Sequence, residues 1–327
     1  MNGNNQTVLE VKNISKWFPQ RNSFFNLGEK KWVKSVDGVT FTLNEGEVLG
    51  VIGESGCGKS TLGKVLVQLE SPTSGEIFLK GEPSTELMKR DSKIFRRNAQ
   101  MVFQNPFDTF APRHTIAKIM MRPLEIHNVG SSQEERYEIC KSTLEKAGLR
   151  PADDYLERYP HELSGGQLQR ISILRSMLLK PSFLVADEPV SMLDVSVRAD
   201  IINMLINLKK ENNTAMVFIS HDIAAARYIS DKIAVMYLGK IVEMGETDEV
   251  IQNPQHPYTK ALISNCASID ISENEVPIRI DGEPPTPINP GPGCYFAKRC
   301  FKATEKCLES YPEYVQKGND HTYSCFY

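Results

Sequence analysis

The 327-residue chain has no apolar run approaching the roughly eighteen residues of a spanning helix, so no part of it is expected to cross a membrane in that way. Its opening, MNGNNQTVLEVKN, lacks the basic stretch followed by apolar residues that an export signal requires. A large excess of either charge is missing too, and a net charge of −3 supplies no global basic field to attract nucleic acid. Cysteine is scarce, at seven residues, which argues against a small domain held together by disulfides. Together these absences point to a cytosolic setting, where thiols stay reduced and a cluster of them more often holds metal or does redox chemistry. What remains is a mixed α/β composition on a chain long enough for about two domains.

Short apolar strands dominate the first hundred residues: VLEV at 8–11, VTFTL at 39–43, EVLGVIG at 47–53 and GEIFLKG at 75–81. From about 105 to 180 the spacing becomes helical, which predicts an inserted helical subdomain. Beyond it FLVADE, AMVFIS and KIAVMYLG alternate with helical segments, the pattern of a buried parallel sheet built from βαβ units. At 284–293 the composition turns to PPTPINPGPG, read as a semi-rigid linker. The expected division is therefore 1–265 for the main domain and 266–327 for a C-terminal extension.

GESGCGKS at 53–60 fits a phosphate-binding loop between the strand EVLGVI and a helix. Glycines let such a loop curl so that its amides face phosphate oxygens, and the helix N-terminus adds its positive end. The candidate ATP-contacting residues are Gly53, Glu54, Ser55, Gly56, Cys57, Gly58, Lys59, Ser60 and Thr61. Lys59 is the expected partner of the β- and γ-phosphates, Ser60 a ligand of Mg²⁺, and Cys57 a small side chain that fits the loop without a redox role. FLVADEP ends an apolar strand on two acids, Asp187 suiting Mg²⁺ and Glu188 suiting a general base for the attacking water. LSGGQLQR at 163–170 offers a second anion-binding surface, with Ser164 as helix N-cap followed by Gly165, Gly166 and Gln167. One nucleotide cannot easily use both surfaces of a single chain.

Phosphate loop, LSGGQ and an Asp-Glu strand end, in that order, resemble the nucleotide-binding subunit of an ABC transporter. The resemblance implies an ABC-type P-loop ATPase fold: an antiparallel β subdomain, a parallel-sheet core, a helical subdomain and a small cysteine-containing C-terminal extension. It implies ATP between one chain's phosphate loop and the LSGGQ of a second ATPase subunit, more often a different chain than a copy. It also implies that Gln104 contacts Mg²⁺ and the attacking water, that Asp194 forms a loop across the dimer, and that His221 contacts the γ-phosphate. Phe18, with Trp17 as second choice, stands where the family stacks an aromatic on adenine.

The segment NPQHPYTKAL at 253–262 and the cysteine tail resemble ATPases of oligopeptide/dipeptide-type ABC importers. That likeness implies two membrane permeases docked on the helical subdomain, an extracytoplasmic binding protein, and a peripheral position on the cytoplasmic face of the cell membrane. Nickel and oligosaccharide importers share the tail, so the cargo stays open between them and peptides. An ABC ATPase of DNA repair or translation would carry a long coiled-coil insertion, tandem cassettes or a basic arm, and a pseudo-ATPase would have a broken motif; neither pattern is present. In the tail, Cys294, Cys300, Cys307 and Cys325 are four thiols suited to zinc or an iron–sulfur cluster. Structural zinc sites use tighter cysteine pairs, and the likeness to importer tails implies [4Fe–4S], with zinc as the alternative. Phe301 stands where the family often has proline, and His321 is a candidate substitute ligand.

Overall fold

The computed structural model describes residues 6–20, 31–266, 277–318 and 320–327. Strands β1 (Thr7–Pro19), β2 (Trp32–Asn44), β3 (Val48–Ile52), β4 (Ser74–Leu79), β5 (Glu82–Pro83) and β6 (Ala99–Val102) precede the helical region. Strands β7 (Phe183–Asp187), β8 (Ala215–Ser220), β9 (Lys232–Tyr237), β10 (Lys240–Glu246), β11 (Val315–Lys317) and β12 (His321–Tyr323) follow it. They form two sheets, an antiparallel one ordered β2-β1-β4-β5 and a core sheet ordered β11-β12-β10-β9-β3-β8-β7-β6.

In the antiparallel sheet, buried Val39, Phe41 and Leu43 alternate with exposed Thr40 and Thr42, the period expected of a strand wet on one face. Both β1 and β2 run well past the short apolar stretches legible in the sequence. Polar Lys12 and Asn13 break the alternation of β1, and the structure absorbs them in a register shift between Val11 and Ile14, with Asn13 at φ +49°. The core strands β3, β7 and β8 are buried along their whole length and pair in parallel, as do β6 with β7 and β3 with β9. Such strands carry helices on both faces and so read as continuous apolar runs rather than alternating ones.

The helical insertion comprises the helices Ile116–Ile126, Gln133–Lys146, Ala152–Glu157 and Gly165–Met177, packed on their own apolar centre that includes Ile116, Met120, Leu144, Leu156 and Leu168. The extension does not hang from the main domain by its proline-rich segment. Residues 287–289 bond to the start of β2, with Ile288 bridged to Val33 and Asn289 exchanging bonds with Trp32. Farther on, β12 adds to β10 at the edge of the core sheet. Its His321, read from sequence as a candidate cysteine substitute, is buried on β12 with Nε2 2.7 Å from Oε1 of fully buried Glu243. That pairing corrects the reading: the imidazole that lines the cysteine pocket is His256.

Parallel order has a functional consequence. The segments after β3, β6, β7 and β8 all emerge at the carboxyl edge of the core sheet, where open α/β sheets bind ligands. Those segments carry the phosphate loop, Gln104, Glu188 and His221.

Candidate active site

Residues 53–58 leave β3 and enter the helix Lys59–Leu66, the context the motif needs. Space as well as conformation demands glycine at two positions. Gly53 (φ +153°) and Gly58 (φ +108°) pack on backbone, where a Cβ would come within 2.2 Å of the Met236 carbonyl oxygen and 1.9 Å of that of Ser35. Ser55 and Gly56 are exposed on the loop, and Thr61 is half-buried in the first helical turn. Lys59 is buried, its Nζ donating to the carbonyls of Gly53 at 2.8 Å and Glu54 at 2.9 Å. Burial pushes the Cys57 thiol up although the Lys59 ammonium opposes the shift, which keeps it an inert thiol.

At the floor of the loop, Ser60 Oγ donates to Asp187 Oδ1 at 2.9 Å. Burial raises the Asp187 carboxyl above its ordinary range, the Ser60 bond lowers it, and the neighbouring charge of Glu188 raises it again. A buried acid beside a second acid is the electrostatic setting in which a divalent cation is most stabilising. The hydroxyl and the carboxylate are hard oxygen donors and fit Mg²⁺.

Glu188 follows at φ +45°, a left-handed conformation rarely adopted by a side-chain-bearing residue. Its N–H donates to the Ile219 carbonyl, so the turn is tied to β8. Strained backbone of this kind clusters at functional sites. The Glu188 side chain is 15% exposed, and Oε2 accepts from Gln104 Nε2 at 2.8 Å. His221 Nδ1 lies 3.3 Å from the same oxygen. Three residues from three loops, picked separately in the sequence, therefore meet at one carboxylate. Ser191 Oγ, not singled out there, is 3.4 Å from Gln104 Nε2.

The LSGGQ segment opens the helix Gly165–Met177 and is bonded to itself in a capping box: Ser164 Oγ accepts from the Gln167 N–H, and Gln167 Oε1 accepts from the Ser164 N–H. Ser164 and Gly165 are exposed, and a Cβ at Gly165 would meet nothing within 4 Å. Among the described residues no hydrogen bond or ion pair joins 164–167 to the phosphate loop of the same chain. Asp194 is exposed just before the helix Val195–Asn212, between Met192 at 65% and Val195 at 80% exposure. Phe18 is half-buried with Lys16 Nζ 4.9 Å from its ring centre; Trp17, next along β1, carries Lys34 Nζ at 4.5 Å. Neither ring belongs to the apolar core beneath its sheet.

A family profile described as ABC transporter matches residues 36–191, and one described as Oligopeptide/dipeptide transporter, C-terminal region, matches 242–307. Over 323 residues the chain is 44% identical to the Dipeptide transport ATP-binding protein DppF of Haemophilus influenzae, covering 99% of this chain and 97% of that one. The chain belongs to the ABC transporter family. It is also 43% identical to the Oligopeptide transport ATP-binding protein AppF of Bacillus subtilis, over 98% of each chain. A solved ATP-binding cassette, MJ0796, in a dimeric post-hydrolysis state bound to ADP and Pi, superposes with TM-score 0.64 at 28% identity, covering 73% of this chain and 98% of that one. The chain is thus an ABC ATPase with the expected antiparallel, parallel and helical parts.

In the extension, Cys294, Cys300, Cys307 and Cys325 line a single pocket with His256, Phe296, Pro312 and Phe326, and none forms a disulfide. Burial pushes the Cys294 thiol up to about 11 and raises those of Cys300 and Cys325. The Lys302 N–H lies 3.4 Å from Cys300 Sγ. Among the described residues no group of three or more His, Cys, Asp or Glu is arranged to hold a metal ion. Phe301 is half exposed. Sequence reading missed what stands next to this pocket. Arg299 reaches the phosphate loop, and Tyr258, noticed only as part of the NPQHPYTKAL likeness, hydrogen-bonds it.

Proposed function

We propose that the chain hydrolyses ATP to drive peptide import through a membrane ABC transporter. The observation that carries the catalytic part is the meeting of Gln104, Glu188 and His221 beside the Ser60–Asp187 pair. In this reading Lys59 and the loop amides bind the phosphates, and Phe18 stacks on adenine. Ser60, Asp187 and Gln104 would hold Mg²⁺, which supplies charge neutralisation at the β- and γ-oxygens. Glu188 takes the proton of the attacking water, Gln104 orients that water, and His221 contacts the γ-phosphate. Exposed Ser164, Gly165 and Asp194, the last flanked by bare Met192 and Val195, suit a surface that closes on the nucleotide of a second ATPase subunit, which we take to be a different chain.

Peptide as cargo is supported by relatives named for dipeptide and oligopeptide transport and by the matched C-terminal region. Among the described residues no helix is long and apolar enough to cross a membrane. In this reading two permease subunits supply the path. The chain would sit peripherally on their cytoplasmic face and dock through the helical insertion between Gln104 and LSGGQ, where Phe107 is exposed. A binding protein outside the membrane would deliver the peptide.

The four cysteines suit a [4Fe–4S] cluster better than zinc. Their spacing, C-x5-C-x6-C-x17-C, lacks the tight C-x₂₋₄-C pair usual in structural zinc sites, and an iron–sulfur cluster would likewise take four cysteine thiolates. Their apolar lining and an amide directed at sulfur are features that tune such clusters. Anaerobic purification from the native membrane tests both proposals together. The expected product is brown, carries about four irons per chain, loses them on Cys300→Ser, and brings down permeases with a peptide-binding protein. Colourless protein with one zinc would replace the cluster, and co-purifying nickel- or sugar-transport partners would replace the cargo.

A further inference from the structure

Arg299 immediately precedes Cys300, and its side chain is only 8% exposed. Its guanidinium meets the Glu54 carboxylate in a fork, Nη1 at 2.6 Å from Oε2 and Nη2 at 3.0 Å from Oε1. Two-pronged pairs of this kind fix orientation as well as charge. Further bonds hold the same guanidinium from the tail side: Nη2 donates to Gly282 O at 2.7 Å and Nε to Asp281 O at 3.2 Å. Nη1 also lies 3.4 Å from the hydroxyl of Tyr237.

Glu54 is the second residue of the phosphate loop, and its carbonyl is one of the two that hold Lys59 Nζ. Its N–H donates to the Tyr258 hydroxyl at 2.9 Å. Tyr258 packs on Tyr237 and Phe296 with ring centres 4.7 and 5.3 Å away, and Phe296 lines the cysteine pocket. A charged route and an aromatic route thus run from the four-cysteine lobe to the loop residue that restrains Lys59. Nothing in the phosphate-loop motif itself requires a partner on Glu54, so the fork serves the tail or the loop.

We propose that Arg299 is a positioning residue for the phosphate loop, coupling the order of the four-cysteine lobe to ATP affinity through Glu54. Arg299 touches no phosphate in this scheme and acts only by holding the loop. The inference rests on the loop being the ATP site, but not on what the four thiols hold. Coupling of this kind is reciprocal: an ordered tail favours the binding-competent loop, and nucleotide on the loop protects the tail.

The test uses the purified full chain and a non-hydrolysable ATP analogue. Arg299→Gln is expected to weaken binding about five- to tenfold, within the usual range of coupling between sites. Glu54→Gln removes the same fork from the more exposed side and is expected to match it. Because both lesions break one interaction, the double variant should be no weaker than either single. Backbone hydrogen exchange across 294–307 supplies the reciprocal readout: the analogue should slow it in the wild type and leave it unchanged in Arg299→Gln. A merely structural clamp would speed exchange without making it insensitive to nucleotide. Unchanged affinity in both single variants, or additive losses in the double, overturns the coupling while the nucleotide site stands. Failure of the wild type itself to bind the analogue would overturn the nucleotide site and the coupling with it.

Discussion

Glu188→Gln is expected to bind ATP as tightly as the wild type and to hydrolyse it about 10²–10⁴-fold more slowly, the usual consequence of losing a general base. Glutamine keeps the length of the side chain and an oxygen that can still accept the 2.8 Å bond from Gln104. It cannot take a proton from water. Lys59, the expected phosphate partner, is held by the carbonyls of Gly53 and Glu54 and not by Glu188, so the change leaves its bonds in place. Equilibrium binding of labelled ATP together with single-turnover hydrolysis in the assembled complex separates the two effects. Wild-type turnover would move the base elsewhere, and lost binding would make Glu188 a ligand of the nucleotide or its metal.

Ser164→Arg should leave ATP binding to the isolated chain nearly intact and abolish the ATP-dependent closed dimer. Ser164 is exposed and its hydrogen-bonding partner is Gln167 of its own capping box, so the isolated chain loses little beyond an N-cap worth about 1 kcal/mol. In the dimer, by contrast, the long side chain would occupy the space above Gly165 that the opposing nucleotide needs. Hydrolysis by the complex should fall by about 10²–10³-fold, the scale of losing a preorganised donor at a site of developing charge. Sizing by light scattering with and without ATP reads the dimer. A Ser164→Arg chain that still dimerises on ATP, or a wild-type monomer that hydrolyses at full rate alone, would contradict the two-chain site.

The legible parts of this molecule were those with local causes. GESGCGKS announces its fold because glycine is demanded by backbone contacts at Gly53 and Gly58, and FLVADEP announces a site because two acids end a wholly buried strand. Gln104 and His221 could be named by their place after strands, yet their shared contact with Glu188 is a product of parallel strand order that no single stretch encodes. In the sequence, the prolines of 284–293 suggest a spacer before the tail. In the structure residues 287–289 of that stretch bond to β2, and three-residue β12 is too short to carry a periodic signal of its own. A histidine among cysteines suggests a ligand in the sequence, whereas the partner of His321, Glu243, is 78 residues away. Arg299 had no local signal at all, since 245 residues separate it from Glu54.

The central claim, that ATP hydrolysis on this chain powers peptide import, is tested most directly by reconstituting the ATPase pair with its permeases and binding protein in sealed vesicles and following phosphate release and peptide uptake together. The account predicts that short peptides stimulate hydrolysis, that labelled peptide accumulates only with ATP, and that Glu188→Gln stops both. Hydrolysis indifferent to peptide, or uptake that persists in Glu188→Gln, would contradict it.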